Sequence, residues 1–103
     1  MAIEADAFYA MLGIAMRAGA LTLGESGVLK AIASGKAAFV LLDGGASERT
    51  RKMFADSCEH YGVRLMVTAQ ERLGQAIGKP GRMSAAVAKG TLAGKLLSLA
   101  GEE

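Results

Sequence analysis

The sequence predicts an α/β fold, specifically a three-layer α-β-α sandwich on a four-stranded mixed sheet. Helical and extended patterns alternate along its 103 residues, and such alternation indicates a sheet covered by helices. Residues 37–42 (AAFVLL) are apolar at every position, as expected for a central strand buried on both faces. A chain of this length has room for about one hydrophobic core, so we expect one domain.

The first part of the chain predicts a helix, a strand and a second helix. Apolar side chains recur at helical spacing over 5–18, and Gly19 follows as a stop signal. Residues 21–23 form a short extended segment. A second helix opens within 24–27, stops at 34–35 and leads into the central strand.

A third helix is predicted to begin after Ser47, whose hydroxyl can cap it, and to end at Gly62. One face is charged and is expected to face solvent. The charged residues are Arg49, Arg51, Lys52, Asp56 and Glu59. The opposite face is predicted to be buried and consists of Thr50, Phe54, Cys58 and Tyr61.

The remaining sequence predicts two further strands and two further helices. Residues 63–67 form the third strand, and Thr68 to Glu71 has the pattern of a capping box for a short helix ended by Gly78. Residues 83–88 form the last strand. A final helix carries the apolar stripe Leu92, Leu96 and Leu99.

Several classes of function are excluded by the composition. No apolar run reaches the roughly 18 residues of a membrane span, and Glu4 and Asp6 stand where an export signal would be basic. We therefore expect a cytoplasmic protein without a membrane partner. The chain could still be one domain of a longer protein.

The single cysteine and single histidine favour no catalysis. Cys58 alone forms neither an intrachain disulfide nor a multi-cysteine zinc site, and a buried apolar role is expected for it. His60 lies two residues further on the same predicted helix, so the two side chains point to different faces. No nucleotide-binding glycine motif is present. We expect no catalytic residues, no metal and no cofactor.

The charge distribution suggests a polyanionic partner. Four of the ten acidic residues lie near the ends of the chain, which leaves twelve basic against six acidic side chains, a difference of +6. Two segments could use this charge. Residues 24–30 (GESGVLK) put glycines and free amides at a helix start with Lys30 one turn inside, a phosphate-binding arrangement. Residues 78–83 (GKPGRM) form a stiff turn with two cations and an apolar Met83.

The order of four motifs resembles a known family. LGIAMRAG at 12–19, GESGVLK at 24–30, CEHYGV at 58–63 and LGQAIG at 73–78 look like the kink-turn RNA-binding superfamily of ribosomal proteins L-seven-Ae and L-thirty-e, in its bacterial YlxQ-like branch. The resemblance implies the same sandwich and a non-enzymatic role in binding structured RNA, with ribosomal RNA or the ribosome as candidate partners and no DNA expected. The implied RNA-contacting residues are Gly24, Glu25, Ser26, Gly27, Lys30, Lys79, Pro80, Gly81, Arg82 and Met83.

The helix start departs from the family pattern Gly-x-Asn-Glu-x-x-Lys. Gly24 and Lys30 match, whereas Ser26 and Gly27 replace the two residues that read the sheared G·A pairs. By analogy with groove readout at about 1 to 3 kcal/mol per contact, their loss costs about 2 to 6 kcal/mol of kink-turn recognition. Two alternatives therefore stay open, a protein-interaction module that has lost RNA binding and an RNA-binding appendage of a larger protein.

Overall fold

The computed structural model describes residues 2–101, and it confirms the predicted alternation of helices and strands. The elements are α1 (Asp6–Arg17), β1 (Leu21–Leu23), α2 (Glu25–Ala33), β2 (Ala37–Asp43), α3 (Glu48–Tyr61), β3 (Arg64–Thr68), α4 (Arg72–Ile77), β4 (Ser84–Ala88) and α5 (Thr91–Leu99). Within the described range, none of these helices combines the length and apolar character needed to cross a bilayer.

The four strands form one mixed sheet in the order β1-β4-β2-β3. The central pair, β2 and β4, is antiparallel, as is the pair of β1 and β4. The pair of β2 and β3 is parallel, and α3 is the connection between them. The predicted four-stranded mixed sheet is confirmed, and β1 and β3 are its edges.

Two hydrophobic clusters cover the two faces of the sheet. The β2 side chains alternate between them, with Phe39 and Leu41 on one face and Val40 and Leu42 on the other. Both faces are therefore buried, as the uninterrupted apolar run predicts. The helical residues on the first face include Phe8 and Leu12 of α1, Leu73 and Ile77 of α4 and Leu96 of α5. Those on the second face include Val28 and Ile32 of α2 and Phe54 and Cys58 of α3.

The third helix follows its sequence signals except at its last residue. The Ser47 hydroxyl accepts a hydrogen bond from the Thr50 N–H at 3.2 Å, and Gly62 ends the helix in the left-handed region with φ 69°. Tyr61, however, is 50% exposed and packs edge to face against His60. The prediction that Tyr61 completes the buried stripe is wrong, because the buried face of α3 ends at Cys58.

The start of α4 corrects a second expectation. Thr68 is the last residue of β3 and Glu71 adopts a left-handed conformation with φ 68°, so they form no capping box. The fully buried carboxylate of Asp43 serves the helix instead. It accepts hydrogen bonds from the N–H groups of Glu71 at 3.0 Å and Leu73 at 3.3 Å. A residue distant in sequence thus replaces the local cap.

Candidate nucleic-acid interface

The sheet order brings the two sequence-predicted binding segments to one end of the molecule. Leu23, at the end of β1, pairs with Ala85 near the start of β4. Leu42 of β2 pairs with Ser84, and the Asp43 N–H donates to the Met83 carbonyl at 2.8 Å. The start of α2 and the loop before β4 therefore lie side by side at the carboxyl end of β2.

A cleft of about 230 Å³ lies where these segments meet. From the start of α2 it is lined by Gly24 and Glu25, and from the loop by Gly81, Arg82 and Met83. The structure thus assembles five of the ten predicted residues around one concave surface. Arg82 and Glu25 are exposed, whereas Met83 is half-buried, so the cleft presents a cation, a carboxylate and a thioether within one small area.

The start of α2 leaves its amides free of side-chain capping. Gly24 occupies the N-cap position with φ 87° and ψ 143°, and no described side chain caps the helix there. This positive φ favours glycine. The first turn also carries the positive end of the helix dipole. Backbone amides and dipole together make this end of α2 attractive to an anion.

The loop over 79–83 is seated on α4 by a close backbone contact. The Lys79 N–H donates to the Gly74 carbonyl at 2.9 Å. A Cβ at Gly74 would lie 2.8 Å from the Lys79 carbonyl oxygen and 3.1 Å from Cα of Pro80. Only glycine permits this approach, and the loop is therefore held in one place relative to the helix. The position of Arg82 depends on that seat.

The other five predicted residues lie outside the cleft. Gly27 and Lys30 line a neighbouring groove between α2 and the sheet edge. Ser26, Lys79 and Pro80 are exposed and are not among the residues that line either cavity. None of these five residues forms a wall of the cleft.

Sequence reasoning missed three residues of the cleft, which are Thr50, Phe54 and Ser84. The helical stripe on α3 predicted that Thr50 and Phe54 are buried; Phe54 is fully buried, whereas Thr50 is only half-buried. Their position beside Gly24 follows from the order of the strands, since α3 begins at the same sheet end as the loop before β4. No local pattern encodes that proximity.

The cysteine and histidine lie away from the cleft. Cys58 is buried in the core between α3 and the sheet, and burial raises the pKa of its thiol. His60 is exposed and contacts the Tyr61 ring. Within residues 2–101, no group of three or more His, Cys, Asp or Glu side chains is arranged to hold a metal ion.

Comparisons with known proteins cover most of the chain. The sequence profile of the Ribosomal protein L7Ae/L30e/S12e/Gadd45 family matches residues 6–95. The RNA-binding protein YlxQ of Bacillus subtilis (strain 168) is 39% identical over 93 residues, covering 89% of this chain and 93% of that protein. The RNA-binding protein YlxQ of Enterococcus faecium is 35% identical over 81 residues, covering 78% of this chain and 79% of its own length.

Solved structures agree in fold. A protein with unknown function from Bacillus halodurans C has a TM-score of 0.86 and 35% identity, covering 96% of this chain and 100% of its own. The Giardia lamblia 15.5kD RNA binding protein has a TM-score of 0.76 and 21% identity, covering 90% of this chain and 81% of its own, and supports the fold alone. The resemblance inferred from the sequence motifs is confirmed, and the chain belongs to the Ribosomal protein L7Ae/L30e/S12e/Gadd45 family, in its bacterial YlxQ-like branch.

Proposed function

We propose that the chain is a non-catalytic, cytoplasmic protein that binds structured RNA through the cleft between the start of α2 and the loop over 79–83. The observation that carries the proposal is the convergence of these two segments around one cleft, since each segment carries groups suited to binding RNA. The names of the two YlxQ relatives, both RNA-binding proteins, support it. A kink-turn or a ribosomal RNA element is the proposed partner.

The start of α2 is proposed to hold the RNA backbone. Its uncapped amides and the dipole favour a phosphate, and Gly24 lets the phosphate approach without a Cβ, because an added Cβ would point into open space. Lys30, about one and a half turns further on, is exposed in the neighbouring groove and supplies counter-charge beside the cleft. Contacts of this kind position the RNA without reading its sequence.

The loop over 79–83 is proposed to act as the opposing clamp. Arg82 presents a planar guanidinium that forms bidentate contacts with phosphate or stacks on a base. Met83 offers an adaptable, polarisable surface for an unstacked base. Pro80 restricts the backbone of the turn, and the seat on Gly74 restrains its position, so little conformational entropy remains to be lost on binding.

The carboxylate of Glu25 is proposed to read a base edge. A carboxylate in a surface that faces phosphates is repelled by the backbone, but it accepts hydrogen bonds from base amino groups. Its place in the cleft beside Arg82 suits a base turned inward. Glu25 would thereby supply one base-contacting side chain at this helix start. The two positions that contact bases in the family pattern hold Ser26 and Gly27 here.

The experiment is a binding series with three RNAs, namely a kink-turn, the same RNA with its G·A pairs replaced, and a plain duplex, each at two salt concentrations. Arg82→Ala and Lys30→Ala are expected to weaken binding. Lys95→Ala is the matched control, since Lys95 is an exposed cation on α5, in the opposite helical layer. Three neutralised phosphates give a salt slope of about −2 to −3.

Each outcome has a distinct meaning. Preference for the intact kink-turn, reduced in Arg82→Ala, supports family-type recognition. Equal, salt-sensitive binding to all three RNAs supports electrostatic RNA binding without kink-turn specificity. No binding at low salt contradicts the proposal and favours a protein-interaction module, for which the charged face of α3 is the first surface to test.

On the charged face of α3, Arg51 and Lys52 differ in how closely they are tied to the structure. The Arg51 guanidinium spans the loop before α3, donating from Nε to the Ala46 carbonyl at 3.0 Å and from a terminal nitrogen to the Gly44 carbonyl. Its charge reversal would disturb the loop as well as the surface. Lys52 forms a largely exposed ion pair with Asp56 of the same helix at 3.2 Å. Lys52→Glu therefore changes the face with little structural cost.

A further inference from the structure

A basic groove runs beside the cleft, between α2 and the edge of the sheet formed by β1. It has a volume of about 410 Å³. Lys30 and Lys36, both exposed, contribute its cations, and Thr22 and Ser34 contribute hydroxyls. Among the described residues that line it, none is acidic. The groove is distinct from the cleft: both involve α2 and β4, but no residue lines both.

The remaining lining residues have small side chains. They are Gly27 and Ala31 on α2 together with Ala37, Ala86 and Ala88 on the sheet. Small side chains let an incoming chain approach the protein backbone closely. The adjacent strand β1 pairs only with β4, so no further strand of the described chain covers this side of the sheet. The groove therefore combines open access, positive charge and hydrogen-bonding hydroxyls.

We propose that this groove binds the sugar-phosphate backbone of an RNA strand that leaves the cleft, with Lys36 as a phosphate contact beyond the residues of the family motif. The inference rests on the proposed function of the cleft. Charge complementarity with a polyanion and continuity along α2 carry it. The nine residues of α2 extend over about 13 Å at 1.5 Å per residue.

We assign a flanking strand as the occupant because the lining offers phosphate-binding groups and no surface on which an unstacked base could stack. Its polar groups are ammonium ions and hydroxyls, which bind phosphates and the 2′-hydroxyls of RNA. It contains no aromatic or guanidinium plane among its described lining residues on which a base could stack. RNA length, rather than the kink itself, should therefore decide whether the groove is occupied.

The test compares a kink-turn RNA trimmed to its minimal stems with the same RNA lengthened on either stem. Wild type, Lys36→Ala and Lys36→Glu are measured between 50 and 200 mM salt, with Lys95→Ala and Lys95→Glu as charge-matched controls and Arg82→Ala as a cleft variant. Thermal unfolding of each variant checks that the exposed substitutions leave the fold intact. Lys36→Arg should retain binding because it keeps the charge.

We expect a longer stem to increase the affinity of the wild type, and Lys36→Ala to remove much of this gain. One lost phosphate contact reduces the salt slope by about 0.9, so over that fourfold salt range the wild type should lose about 3.5-fold more affinity than Lys36→Ala. Lys36→Glu should bind the longer RNA more weakly still, and both RNAs should remain sensitive to Arg82→Ala.

Two results would overturn the inference, and they differ from each other. If Lys36→Ala and Lys36→Glu bind the longer RNA with unchanged affinity and salt slope while Arg82→Ala weakens binding, the groove is not a binding site and the cleft proposal stands. If the wild type binds neither RNA at low salt, the proposed function itself fails and the groove inference fails with it.

Discussion

Replacing Gly74 by alanine should displace the loop over 79–83 and reveal how strongly that loop depends on its seat. The added Cβ would lie 2.8 Å from the Lys79 carbonyl oxygen, 3.0 Å from the Gly81 nitrogen and 3.1 Å from Cα of Pro80. All three are backbone atoms, so no side-chain rotation relieves the contacts. Either the loop or α4 must move by several tenths of an ångström.

The effect of Gly74→Ala on the unfolding free energy is best measured against a matched glycine-to-alanine change on another helix. Outside its own helix backbone, Gly94 of α5 has no described atom within 4 Å of an added Cβ, so Gly94→Ala should stabilise the chain by about 0.8 to 1 kcal/mol through helix propensity alone. Gly74→Ala gains a similar amount but also incurs an overpacking cost of about 1 to 3 kcal/mol. The two variants should therefore differ in unfolding free energy by about 1 to 3 kcal/mol.

Urea unfolding measures this difference, and RNA binding shows its functional consequence. Gly74→Ala should weaken RNA binding, because the displaced Arg82 loses part of a charged contact worth about 1.5 to 3 kcal/mol when fully made. Gly94→Ala should bind like the wild type. Equal stabilisation by both alanines, with unchanged RNA affinity, would refute the claim that Gly74 seats the loop.

Three further predictions concern the core and the helix start. Asp43→Asn should lower the unfolding free energy by about 2 to 4 kcal/mol, because the amide cannot satisfy all the buried donors that the carboxylate accepts. Ser26→Asn combined with Gly27→Glu should raise the preference for an intact kink-turn over its G·A-replaced form by at least about tenfold. Burial raises the pKa of Cys58, so the native thiol stays protonated where the unfolded one ionises. The unfolding free energy should therefore fall as the pH rises above the ordinary thiol pKa, and Cys58→Ala should remove that component.

Each of these predictions has a control or an outcome that contradicts it. Asp56→Asn removes an exposed carboxylate and should cost at most about 0.5 kcal/mol; a similar loss in Asp43→Asn would mean that the buried hydrogen bonds matter little. An added Cβ at Gly27 lies 3.1 Å from Cγ2 of Thr22, so Thr22→Ser should assist the double substitution. If the triple variant with Thr22→Ser still shows no greater preference for the intact kink-turn, positions 26 and 27 do not determine base recognition. A pH slope that persists in Cys58→Ala would assign it to other groups.

The fold was predictable where local chemistry decides it. The segment 37–42, which is apolar on both faces, identified β2, and Ser47 and Gly62 identified the two ends of α3. The expectations for Tyr61 and for a capping box from Thr68 to Glu71 were wrong because tertiary structure overrides local preference there. The Asp43 carboxylate caps α4 from the end of another strand, which a local pattern cannot reveal.

The candidate site was predictable as two segments but not as a cavity. Glycines and cations at a helix start and in a turn indicated both segments from their chemistry. The strand order then decided that Thr50 joins the cleft while Lys30 faces a separate groove. Lys36 gave no sequence signal, since it stands alone before β2, and only the folded structure places it in the groove beside β1.

The most direct test of the central claim is an amide NMR titration of the isotopically labelled chain with a kink-turn RNA at low salt. We expect the signals of residues 24–27 and 79–83 to shift together, with Lys95 and its neighbours on α5 unchanged. Shifts confined to the outer face of α3, or none at all, would contradict the claim that this chain binds RNA through the cleft between the start of α2 and the loop before β4.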